Sequence, residues 1–307
     1  MQIIKSLIEK IDEELMDAEK YIDCAYKVKD DYPELSTVYY RLSKEEILDL
    51  ATKAVSYGYR TIVMQSGEDL FFTADYLAEI IKEIKKLEPQ PAITLSIGER
   101  PYEEYKIMRE AGADRFLLRI ETTDRELYKN LHPNMDFENR VRCLKDLKSL
   151  GYELGTGSLV GLPNQTIESI ADDIIFFKET GEDMIGVGPF IPHNETPLKN
   201  AKGGAFELAR KVMAIVRLLM PDINIPATTA METLNPNGRI LALQSGANVV
   251  MPNATEGIYR KKYEIYPGKI CVNDSPAQCR NCIETKIKSI GRTISKDQGF
   301  RKNEHQK

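Results

Sequence analysis

Apolar residues along this chain follow two alternating rhythms. Short runs rich in β-branched residues recur: TIVMQ (61–65), AITLSIG (92–98), RFLLRIE (115–121), ELGTGSLVGL (153–162), MIGVGPFIP (184–192), INIPATTA (223–230) and ANVVMPN (247–253). Between them stand stretches in which apolar residues return every three or four positions: TADYLAEIIKEIKKL, RPYEEYKIMREA, FENRVRCLKDLKSLG, TIESIADDIIFFKETG, GAFELARKVMAIVRLLM and NPNGRILALQSG. The first rhythm predicts buried strands and the second predicts amphipathic helices. A further helix is expected over 43–58, SKEEILDLATKAVSYG, where Ser43 and Glu46 have the spacing of a capping box and Gly58 suits the C-terminal end.

Strand and helix in strict alternation imply parallel strands joined by right-handed crossovers. Seven strands can be counted, one short of a closed barrel. Residues 32–40, YPELSTVYY, offer only a stub for the eighth, and residues 1–30 read as helical. The expected fold class is α/β, a (β/α)8-type barrel that lacks or shortens its first strand and stands open on one side. A doubly wound open sheet is the alternative. The barrel is preferred because polar residues gather repeatedly at strand C-terminal ends, where such barrels keep their sites. The expected organisation is an N-terminal helical segment (1–34), the barrel (35–267), a cysteine-bearing segment (268–289) and a polar, frayed tail (290–307).

Composition narrows the function classes. With 29% charged residues and a net charge of −5 over 307 residues, nothing electrostatic predicts a nucleic-acid partner. No apolar run reaches the length of a membrane span. The N-terminal stretch MQIIKSLIEKIDEELMDAEK is amphipathic and acidic with no apolar signal core, so a cytoplasmic protein is expected. In a reducing compartment, clustered cysteines bind metal or do redox work more often than they form disulfides.

The strand ends carry the candidate chemistry: Gln65 and Ser66 after the first run, Arg119 and Glu121 in the third, Thr228 and Thr229 in the sixth. Arg119 and Glu121 lie two apart, so strand alternation points both to one face. Such a pair suits an amino acid, with Glu taking the ammonium and Arg the carboxylate. A structural ion pair closing the barrel would look the same. Thr228 and Thr229 equally suit ordinary capping. His132 and His193 are lone histidines that read as loop residues, and Cys143 falls in a helical stretch as a core residue. Cys271, Cys279 and Cys282 have the C-x7-C-x2-C spacing of an iron–sulfur site or of a zinc site short of one ligand.

The run from LSIGERPYEEYKIM through GYELGTGSLVGLPNQT, followed in order by GVGPFIPHNETPL, NIPATTAM, GANVVMPN and YPGKICVNDSPAQCRNC, resembles the radical S-adenosylmethionine enzymes of the HydE type, the FeFe-hydrogenase maturases. The resemblance covers residues 40–290. It implies a barrel with an internal cavity and a 4Fe–4S cluster that cleaves S-adenosylmethionine reductively to a 5′-deoxyadenosyl radical. It further implies action on a cysteine-bound iron carbonyl cyanide precursor, with other hydrogenase maturases as partners. On these matched positions, Arg119, Glu121 and Arg140, with Gln65 and Ser66, would surround S-adenosylmethionine. Thr228, Thr229, Met251 and Tyr266 would line the substrate cavity. Cys271, Cys279 and Cys282 would hold an accessory cluster.

One departure is large. The family holds its essential cluster with C-x3-C-x2-C on the loop after the first strand, and that motif is absent here. The only cysteine ahead of the 43–58 helix is Cys24. The missing motif and the missing first strand fall at the same place. A degenerate, non-catalytic barrel that binds a small ligand or a maturation partner is therefore the alternative function. An aldolase-type barrel is disfavoured, because no strand offers an interior lysine.

Overall fold

A computed structural model describes residues 41–301 apart from 195, 256–258, 261–266, 272 and 274. The expected N-terminal helix, the 32–40 stub, Cys24 and Tyr266 lie outside the described residues. The elements run α1 (Lys44–Ser56), β1 (Thr61–Gln65), α2 (Ala74–Ile84), β2 (Ala92–Ser96), α3 (Tyr102–Glu110), β3 (Arg115–Leu117), α4 (Arg125–Leu131), α5 (Phe137–Ser149), β4 (Glu153–Val160), α6 (Ile167–Thr180), β5 (Met184–Pro189), α7 (Phe206–Leu219), α8 (Thr229–Leu234), α9 (Gly238–Gln244) and α10 (Pro276–Ser289).

The strands form one all-parallel sheet in chain order, β1-β2-β3-β4-β5, a curled half-barrel backed by helices. Five of the seven expected strands thus appear as strands. The sixth and seventh are reduced to single parallel bridges, Met184 to Asn224 and Pro226 to Val249. The reason lies in residues 223–230: Pro226 has no N–H for a ladder, and Thr228 already stands at the start of α8. Among the described residues, nothing pairs with the far edge of β1, and Val63 is left 38% exposed. Among the described residues, β1 is therefore the edge of the sheet.

Local sequence fixes the helix ends. Ser43 accepts from the Glu46 N–H at 3.2 Å while the Glu46 carboxylate accepts from the Ser43 N–H at 2.8 Å, the reciprocal capping box. Gly58 then takes a left-handed φ of 83°, and Tyr59 N–H closes back onto Ala54 O. Thr166 with Ser169 and Ser275 with Gln278 cap α6 and α10 in the same way. Helices α4, α8 and α10 escape the periodicity reading. Two of them span seven and six residues, too short to show a period.

Alternation along the strands sorts core from cavity. On β3 and its extension, Phe116, Leu118 and Ile120 are buried against the helices, while Arg115, Leu117 and Arg119 face an internal cavity. Ile93 and Leu95 on β2 join the same core as Ile80, Ile81 and Ile84 of α2 and Met108 of α3. Gly157 is required where β4 and β5 meet: a Cβ there would lie 2.0 Å from the Gly186 carbonyl oxygen.

The tail does not behave as a frayed end over residues 298–301. The Gln298 carbonyl accepts from Thr61 Oγ1 and from Arg115 Nη2, both at 2.8 Å. The Gln298 amide donates to Gln90 O at 2.8 Å, and Gly299 O accepts from Asn224 Nδ2 at 3.1 Å. Arg301 pairs with Asp222 at 2.9 Å and donates to Glu182 O at 2.7 Å, and its N–H donates to Glu153. Four consecutive residues thus touch the starts of all five strands and of the sixth strand position, and form a floor at the strand N-terminal ends.

Candidate functional site

A cavity of about 2430 Å3 occupies the interior, lined from the strand C-terminal ends (Gln65, Ser66, Arg119, Thr228) down to the floor (Arg115, Gln298). It exceeds the usual range for a single small-ligand pocket.

Arg119 lines the cavity, and Glu121 pairs with it at 3.3 Å. They do not meet by strand alternation, because β3 ends at Leu117. Glu121 instead adopts a left-handed φ of 65°, an unfavourable conformation for a side chain with a Cβ. Its backbone is held there: Glu121 N–H donates to Gly157 O at 3.0 Å and Glu121 O accepts from Leu159 N–H at 3.1 Å. Arg119 Nη2 donates to Ser158 O at 2.7 Å. Two buried atoms of the pair, Arg119 Nε and Glu121 Oε2, have no hydrogen-bond partner. A ready-made charge pair with unused donor and acceptor capacity fits the carboxylate and ammonium of an α-amino acid.

Arg140, on α5, does not reach the cavity surface. It is buried and gathers the loops behind it: Glu99 at 2.6 Å, Glu68 at 3.2 Å, Tyr128 Oη at 3.3 Å and the Arg119 carbonyl at 3.2 Å. Arg140 therefore braces the Arg119 backbone rather than facing the ligand space. Gln65 is exposed and Ser66 half-buried, and Ser66 N–H continues the β1–β2 ladder to Ser96 O. His132 ends α4 beside Tyr128, with its ring 4.9 Å away, and burial pulls its pKa below the ordinary value.

Thr228 and Thr229 both line the cavity, as does Met251. Thr228 is the N-cap of α8 yet makes no side-chain cap bond, and its Oγ1 is a further buried atom without a hydrogen-bond partner. Thr229 Oγ1 accepts from Arg239 Nη2 at 3.1 Å. Behind them Glu232 pairs with Arg239 at 2.9 Å and with Lys286 of α10, so the cavity wall is tied to the cysteine-bearing helix. Glu99 stands at the polar end of the second strand run, but no sequence signal marked Glu232 or Lys286. Each is an ordinary charged residue whose partner lies 7 to 54 positions away.

The described cysteines do not assemble into one group. Cys143 is buried in α5, as expected. Cys279 is buried on α10 with Sγ 3.3 Å from Arg260 Nη1, and the same nitrogen donates to the Cys271 carbonyl at 2.9 Å. Cys271 is half-buried with a left-handed φ of 61°, and Cys282 is exposed. Arg280 lies against Gly58 at the end of α1, while Arg260 also donates to the Asn253 carbonyl at 2.6 Å, and Cys271 and Cys279 both line the cavity wall. Among the described residues, no group of three or more metal-binding side chains converges. Among the described residues, the three C-terminal thiols do not converge on one point.

A curled, all-parallel βα half-barrel with charged groups at the strand C-terminal ends of an internal cavity defines the class. The sequence profile of the radical SAM superfamily matches residues 24–177, and the chain belongs to that superfamily. Within it, the chain belongs to the family of the HydE maturases: it is 52% identical over 263 residues to the [FeFe] hydrogenase maturase subunit HydE of Thermotoga maritima, covering 86% of this chain and 75% of that one. It is also 33% identical over 213 residues to the 3-methylornithine synthase of Methanosarcina acetivorans, covering 69% of this chain and 60% of that protein. The crystal structure of methylornithine synthase (PylB) superposes with a TM-score of 0.69 at 26% identity, over 83% of this chain and 74% of that one. The crystal structure of HydG, at 20% identity and a TM-score of 0.60 over 71% of this chain and 50% of that one, matches in fold. Among the described residues, no helix is long and apolar enough to cross a membrane.

Proposed function

We propose that this chain is a HydE-like protein of FeFe-hydrogenase maturation that binds S-adenosylmethionine by its amino-acid end. Arg119 takes the carboxylate and Glu121 the ammonium. A second small molecule, an iron-bearing or cysteine-derived precursor, would lie deeper, against Thr228, Thr229 and Met251. The observation that carries this reading is the Arg119–Glu121 pair beside the cavity, with Arg119 Nε buried and without a hydrogen-bond partner and Glu121 Oε2 meeting Arg119 Nη2 at 3.3 Å.

A second reading of the chemistry rests on the cysteines. Reductive cleavage of S-adenosylmethionine needs an electron from a cluster held by three thiolates. The chain contains five cysteines and no C-x3-C-x2-C, and the described four do not converge on one point. The thiol set does not fit a primary cluster, so the activity proposed for this chain by itself is binding without radical formation. Its partners would be other maturases that bring or receive the bound molecule.

Two measurements test this. Isothermal titration with S-adenosylmethionine should give a binding heat that Arg119→Leu or Glu121→Leu abolishes; absence of heat from the unaltered protein would overturn the binding reading. Anaerobic reconstitution with iron and sulfide, followed by EPR of the reduced protein, should give no 4Fe–4S signal that changes on adding S-adenosylmethionine. A signal that does change would restore the radical enzyme.

A further inference from the structure

We infer that Asp173, on α6, is a positioning residue that keeps Glu121 in its ligand-ready conformation by anchoring the loop just beyond it. The inference rests on the binding role given above to Glu121. Asp173 has no contact with the cavity: it is 1% exposed and packs between α6 and the sheet. One carboxylate oxygen, Oδ1, accepts from both the Thr123 N–H and the Thr123 Oγ1, each at 2.7 Å. Thr123 lies two residues past Glu121, and Thr122 between them is fully buried.

A left-handed glutamate persists only where both flanks are fixed. On its N-terminal side the chain is fixed by β4: Leu118 N–H donates to Gly155 O at 2.9 Å, and Ile120 N–H donates to Thr156 Oγ1 at 3.1 Å. At Glu121 itself the backbone bonds to Gly157 and Leu159 continue that ladder. Beyond it the ladder stops, and the chain turns away to Asp124, the N-cap of α4. The paired bonds from Thr123 to Asp173 are what hold this exit. Without them, residues 121–123 can relax to the extended backbone that any side chain prefers. The Glu121 carboxylate then loses the fixed direction that its left-handed backbone gives it, and its 3.3 Å approach to Arg119 Nη2 is no longer held. Arg119, held by Ser158 O, stays where it is. The site would keep its guanidinium and lose its carboxylate.

Asp173 is ionised at neutral pH even though burial pushes its pKa up to about 6. Its function here is as an acceptor, and Asn at the same position would preserve an oxygen in the Oδ1 place. That separates positioning from simple packing or charge.

The test compares the full chain with Asp173→Asn, Asp173→Leu and Thr123→Val by two readouts. The first is backbone amide exchange of residues 118–124 without ligand; the second is S-adenosylmethionine binding by calorimetry. In Asp173→Leu, exchange should quicken and affinity should fall by about tenfold or more, the effect of losing hydrogen bonds to a charged acceptor. Asp173→Asn should stay within about threefold of the unaltered protein in both. Thr123→Val removes one of the two bonds and should fall between; it carries the test if Asp173→Leu does not fold. Unchanged exchange in both Asp173→Leu and Thr123→Val overturns the inference, as does an equal loss in Asp173→Asn and Asp173→Leu. If the unaltered protein binds no S-adenosylmethionine while exchange still follows the acceptor at 173, the functional reading fails and the positioning role stands.

Discussion

The Arg115 guanidinium donates to the carbonyl of Gln298, a residue 183 positions later in the chain, at 2.8 Å. Arg115 is the first residue of β3 and only 4% exposed. It also pairs with Glu153 at the start of β4 and lies 4.1 Å from the centre of the Phe300 ring. One buried arginine therefore joins two strand starts to the C-terminal floor, and this end of the sheet is held by the tail.

Truncation after Asp297 should destabilise the whole domain rather than trim a loose end. Arg115→Leu is the sharper test. It strands the half-buried Glu153 without its main cation, and breaking such a pair costs about 3 kcal/mol. Urea unfolding should show a lower midpoint for both variants. A midpoint unchanged by truncation would mean that the floor does not contribute.

Glu182 gives the protein a pH-dependent stability. It is fully buried at the bottom of the sheet, neither carboxylate oxygen has a hydrogen-bond partner, and burial pushes its pKa up to about 7. The folded state thus holds a proton that the unfolded chain releases near 4.5, so the Glu182 contribution to stability is fullest below about 4.5 and declines as pH rises to about 7. Asp173 contributes a decline of the same sign, ending near 6. Between pH 6 and 7 the Glu182 decline overlaps an opposite contribution from His132, whose pKa burial lowers, so the Glu182 part is read as the change on substitution. Glu182→Gln should flatten the slope there and relieve a penalty on the order of 3 kcal/mol at pH 8. An unchanged slope between pH 6 and 7 would exclude Glu182 as its source.

The two cations on Glu232 should weigh differently. Glu232→Gln leaves the Arg239 guanidinium buried without its counter-charge and should cost about 3 kcal/mol. Lys286→Met leaves Glu232 paired with Arg239, and Lys286 is 30% exposed, so its loss should cost about 1 kcal/mol or less. Glu232→Gln should also loosen α10, seen as faster labelling of Cys279 by a thiol reagent. Equal destabilisation by the two substitutions would show that Lys286, not Arg239, is the principal partner.

Thiol accessibility tests the cysteine geometry directly. In a Cys24→Ser background, Cys282 should react first, because it is exposed. Cys279, buried against Arg260, should follow slowly, and Cys143 only on unfolding, since it is buried and burial raises its pKa. Cys282→Ser should remove the fast phase. A fast phase that survives this substitution would place Cys271 or Cys279 at the surface.

The repeating alternation of strand and helix is written in the sequence because each element buries one face, and burial at period 2 or 3.6 leaves a local trace. That is why β1 to β5 and the Ser43 capping box are readable from the chain. It is also why Arg119, Thr228 and Thr229 stand out at strand ends. What needed the tertiary structure is whatever depends on partners distant in sequence. Alternation placed Arg119 and Glu121 on one face, but their meeting depends on a left-handed residue held by β4 and α6. Arg140 matched the ligand shell by resemblance, yet its charge is taken by Glu68 and Glu99. The sixth and seventh runs carry strand-like composition and still form only single bridges, since Pro226 breaks the ladder and the sheet has no closing neighbour among the described residues. Residues 298–301 carry no periodic signal at all. Their order comes from unsatisfied carboxylates, carbonyls and one buried guanidinium at the strand starts, which no local pattern in the tail could announce.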